Sequence, residues 1–203
     1  MCGMMSRNGP GKRGVVTAAS VLVAVLVIAL LLVLPPIVRL ENREVNAEEL
    51  LAPAAVVSDS VPDVLVSEET FDLPGYSGTK VRRWQVGDRG VSLRIEVTKA
   101  RNSFWGRKAW RNDDPANGYR GNFPHVTVAR FSPAGADDAE KICVHGRYDE
   151  CKISSFWLRF GQFLVLVSIT DQSPEASHKD FAEGNLVTAV ADYVRGKLNS
   201  QPD

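Results

Sequence analysis

From Gly14 to Val38 the chain reads GVVTAASVLVAVLVIALLLVLPPIV, 25 positions without a charged side chain. A helix rises about 1.5 Å per residue, so about 20 apolar residues cross a hydrocarbon core roughly 30 Å thick. Pro35 and Pro36 lack the amide hydrogens that would continue such a helix, which ends the span near Leu34. A transmembrane helix over 14–38, with Gly14 to Leu34 in the bilayer, is therefore expected. A cleaved secretory signal is the competing reading, but its apolar region runs only about 7–15 residues and closes on a small-residue cleavage site. Val45-Asn46-Ala47 offers such a triplet well beyond the apolar run. A buried core helix fits least, because so long a run without a polar face has no place in a small soluble domain.

The flanks orient the span. Arg7, Lys12 and Arg13 precede it with no acid, forming a basic tail over 1–13, whereas Arg39 and Arg43 follow it among Glu41, Glu44, Glu48 and Glu49. Basic residues near a span stay on the cytoplasmic side, so the amino terminus points inward and the chain beyond residue 40 lies outside the cytoplasm. The expected location is the cell membrane, single-pass, with an extracytoplasmic carboxy-terminal domain.

That location decides how the cysteines read. Cys2 stays in the reducing cytosol, while Cys143 and Cys151 lie in an oxidising space where such a pair closes. Closing a loop this short stabilises the fold by about 2.5 kcal/mol in the chain-entropy description. A zinc clip using Cys143, His145 and Cys151 is the weaker reading, since a structural site wants four ligands.

Beyond the span, Glu41 to Asp72 holds nine acids against the single base Arg43, with scattered Pro, Ala and Ser and no sustained period. An acidic, extended, partly ordered stalk over 39–75 is expected, although VPDVLVSEE within it has the alternation of a strand. From 76 to 199 the pattern is that of a folded domain, followed by a short tail over 200–203. TKVRRWQV and VSLRIEVTKA alternate apolar and polar residues around a Gly-Asp-Arg-Gly turn, predicting a hairpin. HVTVARF predicts a further strand, and KICV with CKIS a second hairpin cross-linked by the cystine. SSFWLRFGQFLVLVSIT reads as a third hairpin turning at Gly161-Gln162, because a second membrane span would place Arg159 near the bilayer centre. Val187, Val190, Ala191, Val194 and Leu198 then recur at helical spacing, after a capping-box-like Ser177 to Asp180. The fold class is α+β: one amino-terminal transmembrane helix, then a mostly antiparallel sheet with a carboxy-terminal packing helix.

Chemistry-bearing motifs are few. The chain has no G-x-S-x-G elbow, no H-E-x-x-H and no phosphate-binding or dinucleotide-binding glycine loop. His125, His145 and His178 read as surface or structural histidines. Asp113, Asp114 and Asn117 sit close together in RNDDPANGY, but the spacing departs from a calcium loop and Asp-Pro with Asn-Gly mark turns. No catalytic residue, metal ligand set or cofactor is assigned.

One stretch stands apart. Arg101 to His125 joins two expected strands by a connection far longer than the usual few residues. It carries Phe104, Trp105, Trp110, Tyr119 and Phe123 interleaved with Arg101, Arg107, Lys108, Arg111 and Arg120. From Lys80 to Arg130 there are twelve bases and four acids, a net of +8 in a chain whose formal charge is zero. Such asymmetry attracts anionic polymers, lipid headgroups or acidic proteins. The binding candidates are Trp105, Arg107, Lys108, Trp110, Arg111, Tyr119 and Arg120, the aromatics as anchors and the cations as grips. The bland alternative folds the acidic stalk back onto the basic face and uses the aromatics as a satellite core.

Three functions fit this layout, which resembles that of anchored envelope proteins of bacteria with GC-rich genomes, an architecture and not a family. The first is a non-catalytic binding module for a protein or an anionic cell-surface partner, with nucleic acid not expected outside the cytoplasm. The second is an envelope-processing hydrolase using Asp113 or Asp114 with His125 nearby. The third is a structural subunit of a membrane complex, its small residues Gly14, Ala18, Ala19, Ala24 and Ala29 offering helix contacts.

Overall fold

Val91, Leu93, Ile95 and Val97 alternate with Ser92, Arg94, Glu96 and Thr98, and in the computed structural model all four of the apolar set are buried. Their strand lies near the centre of a seven-stranded antiparallel sheet. The structure describes residues 45–61, 65–72, 78–87, 90–133, 135–147, 150–171 and 182–200. The expected transmembrane segment, the basic tail and Ser177 to Asp180 lie outside these. Among the described residues no helix is long and apolar enough to cross a membrane.

The strands are β1 (Leu65–Asp72), β2 (Thr79–Val86), β3 (Val91–Lys99), β4 (Val126–Arg130), β5 (Asp138–His145), β6 (Cys151–Phe160) and β7 (Phe163–Asp171). Two antiparallel meanders, β1-β2-β3 and β4-β5-β6-β7, meet where β3 pairs with β7, Ile95 opposite Val167. Each expected hairpin forms. Phe160 faces Phe163 across the two-residue turn at Gly161, whose φ of 58° is the left-handed conformation that favours glycine. Cys143 and Cys151 are joined by a disulfide with their Cα atoms 5.6 Å apart.

The helices are the single turn α1 (Ala54–Val57), α2 (Ser103–Asn112), α3 (Pro115–Arg120) and the carboxy-terminal α4 (Glu183–Asn199). The expected stripe of α4 packs on one face of the sheet: Leu186, Val187, Val190, Ala191 and Val194 bury against a core that includes Trp84, Leu93, Phe156, Leu158 and Val167. Each fully buried Leu or Val contributes roughly 1.5–3 kcal/mol of transfer free energy before its entropy is counted. The helix begins after Ala182 with no side-chain cap, and Glu183 in its first turn holds Lys141 of β5 at 2.6 Å.

Residues 45–61 and 65–72 differ from the extended stalk expected over 39–75. Val45, Ala47, Leu50, Leu51, Ala52, Val57 and Val61 are all buried in the same core as α4, carried by 3-10 turns at Ala47–Leu50 and Ser58–Ser60 around α1. Irregular turns of this kind have neither helical nor strand periodicity, so their apolar residues look scattered in sequence. Arg82 secures the segment by donating to the carbonyls of Leu51 and Ala52, each at 3.1 Å, and the Tyr193 hydroxyl donates to the carbonyl of Glu49. The acids also find partners, Glu48 and Asp72 on Lys80, Glu68 on Arg82 and Glu69 on Arg83. Hydrogen bonding to Asp72 pulls the Lys80 ammonium above its usual pKa. The bland alternative is thus what this part of the chain adopts, with acidic residues laid on the basic strand β2.

Candidate functional site

The connection from Arg101 to His125 is a pair of helices and not an open loop. Asn102 caps α2 by accepting from the Trp105 amide at 3.0 Å. Asp114 caps α3 by accepting from the Ala116 amide at 2.8 Å, with Pro115 in the first turn where its missing amide hydrogen costs nothing. Asp113 closes α2, its amide donating to Ala109. Asp-Pro therefore marks the corner between two helices.

Both helices cover the face of the sheet opposite α4. Trp110 lies flat on Trp157, the ring centroids 5.5 Å apart and the planes at 5°. The Tyr119 hydroxyl is 3.1 Å from Ser155 Oγ, which is 2.9 Å from Ser168 Oγ, giving a line of three hydroxyls across β6 and β7. Ala116, Ile142, Trp157 and Leu164 form the buried centre, with Ala109, Trp110 and Tyr119 packed around it. Two of the three aromatic binding candidates, Trp110 and Tyr119, thus serve as core.

The seat of α2 is tight. Gly106 is buried against the β6–β7 turn, where an added Cβ would lie 2.5 Å from the Gly161 carbonyl oxygen. That turn is held from below by Arg159, which is only 5% exposed. Its guanidinium reaches Asp137 at 3.0 Å and Asp138 at 2.6 Å, and Asp137 also accepts from the Gly161 amide at 2.7 Å. The charge that would be prohibitive in a bilayer is here paired twice.

With Gly106, Ala109 and Trp110 turned inward, the outer side of α2 displays Phe104, 68% exposed, and Trp105, 43% exposed, the two rings meeting edge to face at 5.7 Å. Lys108 Nζ lies 4.6 Å from the Trp105 ring centroid. Arg101, Arg107 and Arg111 are exposed beside them. Among the described residues none of Arg101, Arg107, Lys108, Arg111 and Arg120 forms an ion pair; Arg120 hydrogen-bonds only Asn117. The fold thus gathers Trp105, Arg107, Lys108 and Arg111 on one surface and adds Phe104, which the binding candidates omit.

A concavity lies beside Trp110. An open cleft of about 410 Å³ is bounded by Trp110, Arg130, Phe131, Asp137, Asp138 and Glu140. Burial raises the Glu140 carboxyl above its usual pKa, and the charges of Asp114 and Asp138 push the same way while Arg130 and Arg120 oppose them. Glu140 is absent from the candidates because the charge of Asp114 reaches it only in the folded chain. Among the described residues, no hydrogen bond joins His125 to Asp113 or Asp114, and no cluster of three His, Cys, Asp or Glu side chains has metal-binding geometry.

No protein-family model matches this chain, and no curated protein matches its sequence.

Proposed function

We propose that the chain is a single-pass, membrane-anchored envelope protein whose extracytoplasmic domain acts without catalysis, holding an anionic partner on the outer face of α2. The observation that carries this reading is the contrast between two basic groups. On β2, Lys80, Arg82 and Arg83 are met by the chain's own acids, whereas on α2 Arg107, Lys108 and Arg111 have no acidic partner among the described residues and flank two exposed aromatic rings. Large exposed apolar side chains amid unpaired cations have the composition of an interface centre and its electrostatic rim. The working residues are Phe104, Trp105, Arg107, Lys108 and Arg111.

The test is a photo-crosslinkable residue in place of Phe104 in the full chain in intact cells, with the same residue at the exposed Thr188 of α4 as control. Crosslinked product at position 104, reduced in high salt and absent at 188, supports the reading; equal or no product at both sites defeats it.

The second reading, a hydrolase, draws on the raised Glu140 carboxyl in the cleft and shifts the acid from Asp113 or Asp114 to Glu140. Asp114 is occupied as a helix cap. Retained capture at α2 by the Glu140→Gln variant separates the two readings, because catalysis in the cleft does not need the α2 surface.

A further inference from the structure

We infer that the partner of the α2 surface is the anionic headgroup layer of the bilayer to which the chain is anchored. This rests on the reading of α2 as the binding surface and of the apolar run 14–38 as the anchor.

The first argument is the length of the tether. A stalk over 39–75 would carry the domain far from the membrane. Instead Val45 is 1% exposed in the core, so at most residues 35–44 separate the folded domain from Leu34. At roughly 3.6 Å per residue such a chain reaches at most about 40 Å. An anchored domain is therefore kept within about 40 Å of the end of the span, at a permanently high effective concentration.

The second argument is chemical fit. Trp at an interface settles at headgroup depth, its ring in the acyl boundary and its polar edge in water. Phe104 and Trp105 project beyond the backbone of α2, and Lys108 covers one Trp105 face while Arg107 and Arg111 flank the pair. Basic residues close to an anionic leaflet each gain about 1 kcal/mol, a gain that fades within a Debye length. A shallow headgroup layer suits a convex helix face, whereas a folded protein partner would be expected to seat Phe104 in a complementary pocket.

The third argument is the disposition of the acids. Glu48, Glu68, Glu69 and Asp72 are engaged with β2, so the acids nearest the α2 cations along the chain are Asp113, which closes the helix, and Asp114, which caps α3, against Arg107, Lys108 and Arg111 on the helix itself.

The experiment uses the full chain in lipid nanodiscs, made either of phosphatidylcholine alone or of phosphatidylcholine with phosphatidylglycerol, with the photo-crosslinkable residue at 104 or 188. Lipid adducts at 104 are expected in the anionic discs, several-fold fewer in the neutral discs or in high salt, and none at 188. Each of R107A, K108A and R111A should weaken the anionic adduct by about fivefold. The salt and lipid comparisons need no variant of those cations, so a misfolded substitution leaves the proposal testable. Adducts at 104 that do not exceed those at 188, or that ignore lipid charge, overturn it. If position 104 captures a protein in intact cells but no lipid in the discs, the binding reading stands and the lipid assignment falls. If it captures neither, both fall.

Discussion

Gly106 of α2 stands so close to Gly161 in the β6–β7 turn that a methyl group on it would lie 2.5 Å from the Gly161 carbonyl oxygen and 3.0 Å from Gln162 Cα. Both neighbours are backbone, and the Gly161 amide is already tied to Asp137. Alanine normally favours a helix over glycine by about 1 kcal/mol. Here the clash outweighs that gain, so Gly106→Ala is expected to lower stability by about 1–3 kcal/mol. Because α2 carries Trp110, the stacked Trp110–Trp157 pair should loosen with it, which near-ultraviolet circular dichroism reads alongside urea unfolding. An unchanged spectrum and an unchanged or raised midpoint would show that the turn yields.

Arg159 links that turn to Asp137 and Asp138, and the three side chains are not equivalent. Removing both acids leaves a buried guanidinium with only the Gly161 carbonyl at 3.3 Å. Stranding a buried charge costs about 3–5 kcal/mol. The double variant Asp137→Ala with Asp138→Ala is therefore expected to unfold at much lower denaturant than Arg159→Met, whose two carboxylates are half-exposed and can be solvated. Equal midpoints for the two would refute the asymmetry.

How the sheet and these helices show in the sequence differs for a physical reason. β3 and α4 each bury one face of a regular element, so Val91 to Val97 and Val187 to Val194 repeat at the element's own period. The helix α2 inverts that rule, because its close seat requires Gly106 and Ala109 inward and leaves Phe104 and Trp105 outside. The helical period survives in Arg107, Lys108 and Arg111 set against Gly106, Ala109 and Trp110, but with Phe104 and Trp105 outside it does not read as an apolar stripe. The Asn102 and Asp114 caps were the available signal, and both were masked by turn-forming neighbours. The packed segment 45–61 hides differently, since its buried residues follow irregular turns. The Trp110–Trp157 stack and the Asp114 charge acting on Glu140 join distant positions that no local pattern encodes. The basic and aromatic character of 101–125 was legible, but which aromatics face inward was not.

Two half-buried carboxyls set a pH dependence. Burial raises Glu96, with the Arg94 charge opposing it, and burial with neighbouring acids raises Glu140, both from an ordinary value of 4.5. A carboxyl whose folded pKa lies above its unfolded one binds more protons when folded. Its contribution therefore falls as pH rises from the unfolded value through the folded one, the reverse of an ion-paired acid. Unfolding free energy measured against pH for the parent minus that for Glu96→Gln should slope downward above pH 4.5, and likewise for Glu140→Gln. A flat or upward difference would show that these groups are better solvated than their surroundings imply.

The cystine between Cys143 and Cys151 offers the test that reaches furthest into the rest. It spans the β5–β6 hairpin, and in the chain-entropy description breaking it costs about 2.5 kcal/mol. Cys143→Ser with Cys151→Ser should lower the unfolding free energy by that amount while α4 stays folded, since α4 shares its core with Trp84, Leu93 and Val167 on strands outside that hairpin. The same pair reports the compartment. A membrane-impermeant maleimide on intact cells is expected to label these cysteines only after reduction, with the full-length chain in the membrane fraction. Such a result would support the oxidising side of the membrane, the uncleaved anchor and the short tether together. Labelling that needs lysis but no reductant would place the domain in the cytosol, where the disulfide would not persist. The α2 surface would then face the inner leaflet and cytosolic polyanions, and the envelope reading would have to be abandoned.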